Sequence, residues 1–180
     1  MARVQTRDRI VDAAMHIVRD QGPARLTLDE AARVANVSKG GVLYHFKSKD
    51  ELLKEMVHRL LERCDALADT YYEQEPEGPY RLPRALVHAA FDPLGPGHDP
   101  VGAAVLAASA LNPSLIEPVR GKFDDWHRRI VEEAPDPDKA FLVMMAMDGL
   151  FLNQVTKFKL YDQDLMIRLK AKALSILSDD

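Results

Sequence analysis

Residues 27–49, TLDEAARVANVSKGGVLYHFKSK, can be satisfied by very few backbones. Thr27 and Glu30 have the T-x-x-E spacing of a capping box, so a helix opens at Thr27. Leu28, Ala31, Ala32 and Ala35 fall on one face of it, and the three alanines are small enough to admit a close neighbour. Asn36 follows where the chain must turn sharply, and asparagine enters the left-handed backbone region more readily than any residue but glycine. Val37 plugs the space between helices, and Ser38 caps a short helix running to His45. Val42 and Phe46, four residues apart, face inward with Leu43 beside them. Lys39, Gly40, Gly41, Tyr44 and His45 are left outward. Ser48 and Glu51 form another capping box and open the next helix. A short helix with so little outward bulk suits a groove of DNA better than a core.

The remaining chain also reads as helix. A first helix is expected from Thr6 as N-cap, with Ile10, Ala13, Ala14, Ile17 and Val18 on its buried face and Gly22-Pro23 as its stop. The helix opened at Ser48 carries Leu52, Leu53, Met56, Val57, Leu60, Leu61, Cys64, Leu67, Ala68 and Tyr71 on one side until EQEPEGPYRLP breaks it. Further helices are expected at 81–91, from Pro100 to about Leu111, to Glu133 from either Asn112 or Pro118, from Asp136-Pro137, and from Asp162 to Ser178. FDPLGPGHDP reads as a loop. Alternating runs and Asn-Gly hairpin turns are absent. The fold class is therefore all-α with about nine helices. Residues 1–49 form a helix-turn-helix domain, and residues 50–180 a helical ligand-binding and dimerisation domain joined to it by the long fourth helix.

Composition narrows the function. The lone cysteine, Cys64, excludes an internal disulfide and a thiolate zinc site. The start, MARVQTRDRI, has no signal-peptide apolar run, and no stretch of 18 apolar residues spans a membrane. A bacterial cytoplasm is the expected location. The net charge of −4 is polarised: residues 1–50 hold nine Lys/Arg against six Asp/Glu, and residues 51–180 hold fifteen against twenty-two. The basic part coincides with the motif. Gly-rich phosphate loop, nucleophile elbow and H-E-x-x-H are all missing, so no enzyme, cofactor or metal site is expected.

The outward residues have chemistry that matches DNA. Lys39 reaches guanine acceptors or a phosphate, and Tyr44 and His45 donate to phosphates. Lys47 and Lys49 flank the start of the fourth helix and oppose its dipole, a conflict that a bound phosphate removes. The Thr27 hydroxyl is placed for a phosphate in the same way. Gly40 and Gly41 weaken the helix by roughly 1 kcal/mol each against alanine and permit close backbone approach. With so few base-reading side chains, dimer spacing and DNA shape must supply much of the specificity.

LTLDEAARVANVSKGGVLYHFKSKDELL, with RIVDAAMHIVRDQG before it, resembles the DNA-binding domain of the tetracycline-repressor (TetR) family of bacterial regulators over about residues 5–55. Two departures stand out: Asn36 at a turn position usually held by glycine, and Leu43 where an aromatic residue is frequent. The resemblance implies a homodimeric regulator that binds a palindromic operator, most often as a repressor, and a helical domain that takes a small effector. The residues agree. FLVMMAMDGLFLN, 141–153, is apolar nearly all round and must be covered on every side, with Ala146 and Gly149 admitting a partner helix. The last helix shows Met166, Leu169, Ala173 and Ile176 at packing spacing, so the last two helices are expected to pair across a twofold axis. An apolar effector pocket is expected from Tyr71, His88, Phe123, Trp126, His127, Met144, Met147 and Phe151. A docking surface for a protein partner is the alternative use of this domain, and a helical enzyme or carrier a remoter one.

Overall fold

A computed structural model describes residues 2–158 and 161–178. Among them there is no strand, and nine α-helices follow one another: α1 (Ala2–Gln21), α2 (Leu28–Ala35), α3 (Lys39–His45), α4 (Lys49–Gln74), α5 (Arg81–Ala90), α6 (Pro100–Ser109), α7 (Glu117–Glu133), α8 (Pro137–Thr156) and α9 (Gln163–Ile176). None of the described helices is long and apolar enough to cross a membrane.

Local chemistry sets most boundaries. Thr27, Ser38, Asp136 and Asp162 each accept a hydrogen bond from the backbone N–H three residues on. Ser48 does the same for Glu51, and the Glu51 carboxylate returns to the Lys47 N–H at 2.7 Å. The expected box at Thr27 is one-sided, because the Glu30 carboxylate binds the Arg33 guanidinium instead. The α1 start also differs from expectation. The helix begins at Ala2, and Thr6 lies inside it, since nothing between Arg3 and Gln5 breaks a helix. The open boundary before α7 falls at Glu117, which puts Pro118 in the first turn, where its missing N–H leaves no bond unmade.

The chain divides into two compact units, residues 1–61 with 100–119, and residues 62–99 with 120–180. In the first, Ile10, Ala14 and Ile17 of α1 share a core with Ala31 and Ala35 of α2, Val42 of α3, Phe46, and Leu52 and Met56 of α4. Val101, Ala104 and Val105 of α6 and Leu115 close the same core. Three ion pairs lock α1 to α4: Arg7 with Glu55, and Arg59 with Asp8 at 2.7 Å and Asp12 at 3.3 Å. In the second unit, Leu82, Leu86 and Val87 of α5 pack with Ala140 and Val143 of α8, Ile130 of α7, and Ala173 and Leu177 at the end of α9. Tyr80, in the left-handed region at φ 59, caps α5 and accepts the Asp136 N–H on its hydroxyl at 3.1 Å.

Candidate nucleic-acid interface

Helix α3 has seven residues, two of them glycine, and would not form alone. Its position is imposed from both ends and from beneath. Asn36 sits at φ 52, ψ 52. The Val37 N–H reaches Ala32 O at 3.0 Å and the Asn36 N–H reaches Arg33 O at 3.2 Å, the bonding pattern of a Schellman motif. The Arg9 guanidinium adds a bond to Ala35 O at 2.5 Å, satisfying another terminal carbonyl of α2. Ser38 Oγ caps α3 by accepting the Gly41 N–H at 3.0 Å. Val42 is fully buried and Phe46 is 2% exposed, so they fix the inner face.

The outer face then carries the residues singled out from the sequence. Thr27, Ser38, Lys39, Gly40, Tyr44, Lys47 and Lys49 are exposed; Gly41 and His45 are half-buried. Tyr44 is 59% exposed, with its ring edge-on to His45 at 5.1 Å. The glycines differ from each other. A Cβ on Gly41 would stand 3.3 Å from the capping Ser38 Oγ, so the cap itself favours glycine there. A Cβ on Gly40 would meet nothing nearer than 3.9 Å, so no neighbour in this fold asks for glycine. The structure adds three features that motif spacing does not reveal. Lys39 is paired with Asp29 of α2 at 2.9 Å. Arg25 is exposed and, with Thr27 and Glu30, lines a small recess at the start of α2. The α1–α4 ion pairs brace the same unit. The first and third join residues too far apart in sequence for periodicity to pair. An Arg two residues before a cap was the available signal for Arg25.

The eight residues expected around an effector fall into separate places of the second unit. Tyr71 and His88 stack at 5.2 Å. The Tyr71 hydroxyl donates to Asp92 Oδ2 at 2.6 Å, which holds the Asp92 carboxyl below its usual range and pushes the Tyr71 hydroxyl up. His88 Nε2 lies 3.1 Å from Glu75 Oε1, yet burial and then Lys170 keep its pKa below the ordinary histidine value. Phe123 and Trp126 touch at 5.6 Å, with Phe123 exposed, and His127 stacks on Phe141 at 4.4 Å. Met144 and Met147 pack against the core of this unit, and Phe151 is half-buried. Met147 also lines an open groove of about 740 Å³ along α8 and α9, together with Leu142, Ala146, Gly149, Leu169 and Ile176. Among the described residues no group of three His, Cys, Asp or Glu is placed to hold a metal.

Two family models match the chain, one over each of two successive stretches. Residues 10–56 match the family model described as bacterial regulatory proteins, tetR family. The regulator TtgR of Pseudomonas putida is 32% identical over 90 residues, covering 50% of this chain and 43% of TtgR, so the chain spans less than half of that relative. A transcriptional regulator from Rhodococcus sp. Rha1 superposes with a TM-score of 0.74 at 21% identity, over 95% of both chains. The multidrug binding protein EbrR, solved with ethidium, gives 0.66 at 22% identity over 97% of this chain and 99% of its own. Residues 80–177, more than half of the chain, match the model described as tetracyclin repressor-like, C-terminal domain, and with both patterns met in order the protein belongs to the TetR family of bacterial regulatory proteins.

Proposed function

We propose that this protein is a homodimeric transcriptional regulator that binds a palindromic operator and releases it when a small, mostly apolar effector binds. Residues 1–49 read the DNA, and residues 50–180 dimerise and take the effector. The observation that carries the DNA reading is the outer face of α3. Gly40 lacks a side chain where the fold has room for one, and Lys39 and Tyr44 of the same helix are exposed, as are Lys47 and Lys49 just after it. A backbone laid bare among cations and a phenol is built to meet a polyanion closely. Two such helices, one per subunit, would enter successive major grooves about 34–36 Å apart. Thr27 and the start of α4 would receive phosphates, and Arg25 joins them.

Selection of duplexes from a random pool, followed by binding of the selected duplex across a salt series, tests this. A palindromic selected sequence and a steep salt slope are expected; recovery of no sequence, with salt-insensitive binding, would defeat the reading. Lys49→Ala is expected to weaken selected and scrambled duplexes alike and to flatten the log–log salt slope by about 0.9 for each phosphate it no longer neutralises. Gly40→Ala separates fold from interface. Its helix should gain up to about 1 kcal/mol, raising the melting temperature. Its DNA affinity should fall about tenfold, or ~1.4 kcal/mol. A variant both more stable and equally tight would show that α3 does not approach DNA at this point.

The exposed apolar row on α8 and α9 supports dimerisation through the last two helices. The groove there is open and lined by small residues at Ala146 and Gly149, which fits a partner's helices. For the effector, Tyr71, His88 and His127 are proposed as polar anchors, and Phe123, Trp126, Met144, Met147 and Phe151 as apolar wall. Release of DNA requires the effector to bind the DNA-incompetent form better. Repression is the simplest outcome of an operator-bound dimer. Titration with ethidium without DNA, read by the single tryptophan, Trp126, probes the pocket. Saturable quenching supports an effector site for flat aromatic ligands. Its absence, together with a stoichiometric protein partner, favours docking instead.

A further inference from the structure

A carboxylate stands among the groups that α2 and α3 offer to DNA. Asp29 lies two residues past the Thr27 cap and is about as exposed as Lys39, the first residue of α3. Its Oδ1 and Oδ2 hold the Lys39 ammonium at 2.9 Å and 3.1 Å, so the pair closes across the turn. A negative charge in the first turn of α2 suits the helix dipole. Glu30, the next residue, already supplies one, and Thr27 already caps the helix. An ion pair this exposed adds little to stability. Neither role explains a fixed anion on the face that must approach phosphates.

What the carboxylate does change is the choice open to Lys39. A lysine is a flexible point charge that finds a backbone phosphate as readily as a base. Held by Asp29, its ammonium still has donors to spare and can be shared with a neutral acceptor such as guanine O6 or N7. Moving to a phosphate instead would either strip Asp29 of its partner or bring a second anion against it, and both are unfavourable at this face. We propose that Asp29 is a positioning residue that makes Lys39 a base reader rather than a phosphate ligand, giving up overall affinity for sequence discrimination. The inference rests on the reading that α3 enters the major groove.

Four proteins test it: wild type, Asp29→Asn, Lys39→Ala and the double variant. Each is measured on the duplex that wild type selects from a random pool and on a scrambled duplex of the same length and composition. Asp29→Asn should tighten the scrambled duplex and narrow the selected-to-scrambled ratio by about three- to fivefold, the range of an exposed charge pair. Its salt slope on the scrambled duplex should steepen by about 0.9, one further phosphate neutralised. In the Lys39→Ala background the same substitution should shift both duplexes by one factor and leave the ratio alone. An unchanged ratio in Asp29→Asn, or an equal loss of ratio without Lys39, overturns the proposal. Asp29→Ser, also at home in a first helical turn, repeats the measurement if the asparagine variant loses helicity. Should wild type itself select no duplex, the groove reading fails first; should it select one that Asp29→Asn reads as well, only the role of Asp29 fails.

Discussion

Replacing Leu142 and Met145 together with glutamate is expected to give a folded monomer that has lost tight operator binding. Both side chains are on α8 and largely in solvent, at 70% and 68% exposure, so charge there costs the isolated subunit little. Across the proposed twofold axis the same change would bury four carboxylates against an apolar partner surface, where each is expensive unless paired. Linking two half-site interactions raises avidity by about 10²–10⁴, and the variant should lose that factor on a palindromic duplex. Sedimentation should report the monomer and circular dichroism an unchanged helix content. A variant that stays dimeric would remove α8 from the interface. A monomer that binds the palindrome as tightly as wild type would remove dimerisation from the mechanism.

Phe46→Ala is expected to have the largest effect on the fold. The ring is 2% exposed, lies in the core shared by α1, α2, α3 and α4, and has the Arg7 guanidinium 5.3 Å from its centroid. Truncating such a ring removes about 3–5 kcal/mol, against a whole-domain stability of about 5–15 kcal/mol. Phe46 is also the C-terminal cap of α3, its N–H bonded to Val42 O at 2.8 Å. The loss should therefore fall on the helix proposed to meet DNA, with affinity dropping along with the denaturation midpoint. Phe46→Leu keeps most of the volume and should be far milder. A Phe46→Ala protein less than about 1 kcal/mol weaker, still binding DNA, would mean that α3 is held elsewhere.

The fold of the first fifty residues was written in local chemistry. Thr27, Ser38 and Ser48 cap their helices, and Asn36 takes the left-handed conformation that its place in the turn predicts. Each is decided within four residues, which is why single residue types at fixed spacing reveal them. Thr6 shows the limit of the same reasoning. A good capping residue marks a start only if the chain before it resists helix, and residues 2–5 do not. Glu30 shows another, since its carboxylate prefers a guanidinium one turn on to the cap it was spaced for.

The effector residues were less legible. A methionine or aromatic at helical spacing says that one side of a helix is apolar, not what that side faces. Phe123 and His127 share α7 with Trp126, yet Phe123 and His127 are exposed while Trp126 packs on the core. Helix α6, VGAAVLAAS after Pro100, is apolar on all sides and shows no preferred face. Its burial beside α1 is a pairing of residues some ninety positions apart.

By itself, then, the sequence determined the helices, their caps, the turn that sets α3 against α2, and the family to which that motif belongs. These depend on hydrogen bonds and periodicities that act over a few residues. Only the tertiary structure decided that Arg59 grips Asp8 and Asp12, that α6 completes the α1 core, that Gly40 has open space beside it, and that Lys39 is held by Asp29. Those facts belong to pairs of distant residues and to empty volume. Long-range pairings and voids arise when whole helices settle against each other, and no local spacing encodes them.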